Sequence, residues 1–260
     1  MVKKSDFILR LLILFFIAVL LLTAGWMMRS FPVFIFGGIA PLFAIADYAK
    51  TDENFWGSSE LILLALTASL FSAHFFSLNF LVASITEAIV LTLAFVAYSV
   101  VHQNLGVRPG KFTIIIFWLG VEYIFLKLPF HKSIIFLSDA VQGKPEWLRW
   151  NQYTGYLGAT FWILICNFFL YLALLKKDQG LKGVFLALTL IFILGPIIIS
   201  YGSAGAPIKK TEMISLYHEQ PLASGNLYSK QGEIIPRVTA IISMAILLLA
   251  MVKSKTQKSK

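Results

Sequence analysis

Two acidic side chains, Glu87 and Glu122, fall inside long apolar runs, where a carboxylate needs a reason to be. Counted from the ends of their runs, each lies about five or six residues in, which at ~1.5 Å per residue is roughly 8–9 Å deep. If those runs are successive antiparallel helices, the two acids sit at one level. There they suit a shared proton or a basic partner such as Lys127, His131 or His74. An ionisable group at lipid depth is costly and marks a functional candidate. The competing reading is an acid that is hydrogen-bonded and only fixes helix packing. Asn167, in a later apolar run, with Gln152 and Asn151 ahead of it, suits either a lipid headgroup or an interhelical hydrogen bond. Trp147 and Trp150 are spaced to share one helical face, and indoles favour the headgroup interface.

Other reactive side chains form no catalytic spacing. His131, Asp139, Glu146, His218 and Glu219 fall in polar stretches, and adjacent residues such as His218 and Glu219 do not face each other on a regular element. No HExxH, CxxC or glycine-rich phosphate loop occurs, so no metal or cofactor is expected. Cys166 is the one cysteine, which excludes an intramolecular disulfide. It lies mid-run in FWILICNFF, where a thiol behaves as a small inert hydrophobe.

The elements that carry these residues are apolar to a degree that excludes a soluble core. Of 260 residues, 58% are hydrophobic and 13% charged, against about half and a quarter in ordinary domains. Runs long enough to cross a bilayer, about 20 residues, read as Phe7 to Met28, Phe31 to Tyr48, Glu60 to Phe80, Leu81 to Val101, Phe112 to Leu128, Tyr153 to Leu175, Leu181 to Tyr201 and Ile234 to Val252. The first is longer than a signal-peptide core and reads as a retained span. Pro41 is expected to kink the second, and Gly195-Pro196 to interrupt the seventh. Residues 129–152 read as a surface-lying interfacial arm, and 202–232 as a short polar loop. The expectation is an all-α integral membrane protein of about eight transmembrane helices in one bundle.

The formal charge of +9 belongs to that picture. Thirteen of the 22 Lys and Arg fall on the side holding both termini, mostly in short segments and the tail. That distribution predicts cytoplasmic termini. No basic stretch carries stacking aromatics in a polar context, so nucleic acid is not expected.

The order of motifs resembles apolipoprotein N-acyltransferase, a bacterial membrane enzyme. WLRWNQYTGYLGATFWILICNFFLYLALL (147–175) carries most of the likeness. FPVFIFGGIAPLFAIADY (31–48), FWLGVEYIFLK (117–127) and LYSKQGEIIPRVTAIISMAILLL (227–249) support it. The resemblance implies an inner-membrane location and an opening to lipid on the outer side. It also exposes a departure. The family places a nitrilase-like domain, with a Glu-Lys-Cys triad, between its last two spans. Here that interval is the loop 202–232 and holds no Cys, so no catalytic residue carries over. The expected function is a non-catalytic relative that binds membrane phospholipid or lipoprotein acyl chains, or serves as a subunit among other membrane proteins. Glu87, Glu122, Trp147, Trp150, Gln152 and Asn167 are its candidate lipid- or partner-binding residues. The alternative is an acyltransferase that uses outer-loop residues or a separate nitrilase subunit.

Overall fold

The computed structural model describes residues 4–48, 52–105, 111–126, 134–176, 180–203, 205–207 and 233–258. Among these the regular elements are all helical. They are α1 (Lys4–Met27), α2 (Ile35–Gly38), α3 (Ala40–Tyr48), α4 (Asp52–Ala73), α5 (Leu81–Leu105), α6 (Phe112–Leu126), α7 (Asn151–Thr154), α8 (Gly158–Leu170), α9 (Lys182–Gly202) and α10 (Ile234–Lys258). Lys127, His131, His218, Glu219 and most of the loop 202–232 lie outside the described residues.

Five stretches are long and apolar enough to cross a membrane: Asp6–Met27, Leu78–Leu105, Gly158–Leu175, Lys182–Gly202 and Ile234–Lys253. Three apolar stretches from the expected set are shorter: Pro32–Tyr48, Gly57–Ala73 and Phe112–Leu126. The boundaries have local causes. Beyond Ala73 the chain enters left-handed backbone at Phe75 (φ 53°) and Phe76 (φ 55°), which ends α4. Such a conformation costs roughly 1–2 kcal/mol per non-glycine residue. It separates two runs that the sequence divides only weakly around Ser77-Leu78-Asn79.

The second stretch is broken between α2 and α3, next to Pro41. A proline cannot donate to the carbonyl four residues back, and the chain bends at Ile39. Asn167 of α8 bridges the break. Its Oδ1 accepts from the Ile39 and Ala40 amides at 2.8 and 2.9 Å, and its Nδ2 donates to the Ile35 and Ile163 carbonyls, both at 2.9 Å.

The expected interruption at Gly195-Pro196 is absent: α9 runs unbroken through Pro196. The proline leaves the Phe192 carbonyl without its helical donor, and the Trp162 indole N–H of α8 supplies one at 2.5 Å. A neighbouring helix thereby restores the lost bond.

α3 and α8 form the centre. Ala40 through Ala46 are all buried, as are Ile163, Leu164 and Cys166 of α8. α1 packs on α3 and α4, α4 on α5, α5 on α6, α10 on α5 and α6, and α9 on α8. The outermost helices show apolar side chains outward: Phe16 and Leu20 on α1, Ile191 and Ile198 on α9, Ile241 and Met244 on α10. Only 11% of the apolar stretch of α9, and 11% of that of α10, is buried. Surfaces of this extent and composition suit hydrocarbon, not water.

Candidate functional site

The segment from Ile134 to Trp150 closes one end of the bundle. It is not a helix lying along the surface. It contains two 3-10 turns, Leu137–Val141 and Pro145–Trp147, with Gly143 between them and Pro145 opening the second. Ile134, Phe136, Leu137, Val141 and Leu148 are buried in the bundle end. Short 3-10 turns satisfy few of their own amides, and a buried N–H needs an acceptor from elsewhere.

The two carboxylates meet that need. Glu122, 1% exposed, accepts at Oε1 from the Leu137 amide (2.8 Å) and the Trp118 indole (3.0 Å), and at Oε2 from the Thr160 hydroxyl (2.6 Å). Thr160 Oγ1 in turn accepts from the Ser138 amide at 3.2 Å. Glu87, 4% exposed, accepts from the Ile135 amide at 3.3 Å. Both acids thus accept from the arm's backbone, at amides two residues apart, and Glu122 also holds the Trp118 indole and the Thr160 hydroxyl. His74, one of the basic partners considered, stacks on Phe80 at 4.4 Å.

A third carboxylate caps the arm. Asp139 Oδ2 accepts from the Phe136 amide at 3.1 Å, and Oδ1 accepts from Gln142 Nε2 at 2.8 Å and from the Tyr156 hydroxyl. A fourth, Glu233, is fully buried just before α10. It accepts from the amides of Tyr156 (2.6 Å) and Leu157 (3.3 Å), ahead of α8. Gly155 lies in left-handed backbone (φ 87°) against this carboxylate, and a Cβ there would come within 2.4 Å of Glu233 Oε2. Sequence reading missed Glu233. The available signal was an acid one residue before a span, a position that can cap a neighbouring helix as well as its own.

Between the arm and the ends of α1 and α4 is an open cavity of about 360 Å³. Trp26, Arg29, Ala73, Ile135, Asp139, Gln142 and Gly143 line it. Trp26 and Ile135 also line an apolar crevice that runs inward between Leu22, Ile39, Leu66, Leu70, Leu91, Trp118 and Leu137. The crevice has free room of only about 10 Å³, about one water. The mouth is therefore open and the space beneath the arm is nearly filled by its side chains. Gly143 sets how closely the arm seats: a Cβ there would fall 2.1 Å from the Arg29 carbonyl oxygen.

Other candidate residues sit apart from this cavity. Trp147 and Trp150 are half-buried and pack edge-on, Trp147 on Phe31 at 6.2 Å and Trp150 on Trp162 at 5.7 Å. The Trp150 indole donates to the Trp147 carbonyl at 2.9 Å. Gln152 is 6% exposed and lies against Gly205. Asn167 is fully buried, and its amide is spent on the α2–α3 break. Cys166 is fully buried in α8. At the opposite end of the bundle, Lys111 pairs with Asp47 at 2.9 Å, donates to the Phe43 carbonyl and lies over the Tyr171 ring at 4.3 Å. The Tyr171 hydroxyl donates to Asp47. Among the described residues no three His, Cys, Asp or Glu side chains group as metal ligands.

No family model, no curated protein and no solved structure matches this chain.

Proposed function

We propose that this chain is a multi-pass membrane protein that holds the polar part of a membrane lipid, or of an acylated protein, at the arm end of its bundle. The observation that carries this reading is the cavity of about 360 Å³, with its Arg29, Asp139 and Gln142 rim and its apolar floor at Trp26 and Ile135. Ligand sites combine apolar walls with a few placed polar groups. An apolar crevice adjoins the cavity at Trp26 and Ile135. Because that crevice is nearly filled, an acyl chain enters it only by displacing Ile135 and Leu137, so the open mouth is the primary binding element.

The motif order shared with apolipoprotein N-acyltransferases supports placing the arm on the outer side of a bacterial inner membrane, with eight spans and both termini cytoplasmic. It also keeps the split-enzyme alternative, in which a separate nitrilase subunit would dock on this end. The chain's own thiol favours the non-catalytic reading, since Cys166 is buried in the central helix and a covalent mechanism needs an accessible, activated nucleophile.

Purified protein in mild detergent, analysed by native mass spectrometry and lipid extraction, tests the proposal. One lipid should be retained per chain, and Gln142→Trp, which fills the mouth from an exposed position, should release it. Retention that ignores this variant, or no retention, sinks the proposal.

A further inference from the structure

The rim of the cavity sets one cation, Arg29, against one anion, Asp139, and the two differ in how far their hydrogen-bonding groups are engaged. Arg29 follows α1 directly, and its guanidinium lies over the Phe75 ring with Cζ 4.6 Å from the ring centre. Among the described residues no carboxylate pairs with it, whereas nearby Lys144 is paired with Glu146 at 3.3 Å. The carboxylate that does line the cavity, Asp139, already accepts from the Phe136 amide, Gln142 and the Tyr156 hydroxyl. The mouth thus offers a cation with its donors unspent and an anion whose acceptors are taken. We infer that this mouth selects amphiphiles of net negative charge, with Arg29 as the recognition residue and Phe75 as the residue that positions it.

The geometry at Phe75 supports the second half. A guanidinium stacked on an aromatic face keeps its N–H fork in the stacking plane, free for a bidentate carboxylate, phosphate or sulfate. Phe75 reaches that place through left-handed backbone shared with Phe76 (φ 53° and 55°). The Phe76 ring in turn packs edge-on against Phe71 at 5.5 Å. Two strained bulky residues in succession persist where their surroundings over-determine them, and here the result is one ring placed under Arg29. An interfacial arginine that merely reached for water would leave the ring and the cavity. A zwitterionic headgroup gains less at this mouth where its cationic part offers N–H donors, because Asp139 already accepts from the Phe136 amide, Gln142 and the Tyr156 hydroxyl.

The inference rests on the lipid-binding proposal and sharpens it. The test offers the full chain, in detergent, an equimolar mixture of phosphatidylglycerol and phosphatidylcholine with identical acyl chains, read by native mass spectrometry. Wild type should retain the anionic lipid about tenfold over the zwitterionic one, the scale of one charge-assisted pair. Arg29→Gln should bind both equally, and Arg29→Lys should keep part of the preference. Phe75→Leu should lower the preference while Phe75→Tyr preserves it, a split that a purely structural ring would not give. Titration with inorganic phosphate separates the sources of the anion. Phosphate that binds through Arg29 with no lipid retained assigns the ligand to solution, upholding the charge selection and overturning the lipid reading. Equal retention of the two lipids by wild type, or an unchanged preference in Arg29→Gln, overturns the inference and leaves the proposed function standing.

Discussion

Glu122 binds three donors that have no other use for their hydrogens: a backbone amide, an indole and a hydroxyl. Replacing it by Leu orphans all three in a buried site, where each unsatisfied group costs about 1–3 kcal/mol. Glu122→Leu should therefore lose at least about 3 kcal/mol in denaturant unfolding from micelles. Glu122→Gln, which keeps one acceptor oxygen but turns an N–H₂ toward a donor, should lose about 1–2 kcal/mol. A Leu variant as stable as wild type would show that the carboxylate does not anchor the arm. That the two acids are buried within apolar helices was legible from the apolar runs alone. Their partners were not, because an acceptor for a backbone amide leaves no mark in the identity of the residue it binds. The same blindness hid Glu233 and the Arg29–Phe75 stack, both made across turns. Chemistry at this scale also predicts an absence: the chain alone should leave the amino terminus of a diacylated lipoprotein free. Triacylated product that persists in Cys166→Ser, followed by mass spectrometry, would promote the split-enzyme alternative's rival, catalysis by other groups.

Helices here are repaired from outside. Asn167 mends the break beside Pro41, and Trp162 fills in for the amide that Pro196 lacks. The second repair is testable as a cycle. Trp162→Phe orphans the Phe192 carbonyl and should cost about 1–2 kcal/mol. In a Pro196→Ala background the restored N–H serves that carbonyl, so the loss from Trp162→Phe should shrink to its packing share. Equal losses in both backgrounds, by thermal unfolding in detergent, would falsify the substitution of one donor for another. These cases explain where reading the sequence by element succeeds. Proline marks both sites, but whether a helix breaks or continues is decided by a side chain on a different helix. In the arm, three-residue spacing of Trp147 and Trp150 suits one helical face, yet the segment is built of two 3-10 turns with Gly143 between them and Pro145 opening the second.

At the level of the whole molecule, apolar composition was enough to announce a helical, lipid-suited bundle, while span lengths were not. Three of the eight apolar stretches are shorter than a full crossing, because a break, a left-handed turn and a compact helix each take residues from the run. The proposed orientation rests on the basic residues and is open to direct measurement. In a Cys166→Ser background, single cysteines at Ser224 and Ser254 probe positions outside the described side chains. An impermeant thiol reagent, applied to cells with a permeabilised outer envelope, should label 224 and spare 254. The reverse pattern would invert the proposed topology, putting the cavity on the cytoplasmic face.

The Glu233 clasp bears on how the chain is made. Its carboxylate meets amides 77 and 76 residues earlier in the chain, so the head of α8 waits for acceptors that are translated well after it. Until Glu233 is added, those two amides lack this acceptor. A chain cut before Glu233 leaves both amides without this acceptor, so the clasp ties the head of α8 to the segment that leads into α10.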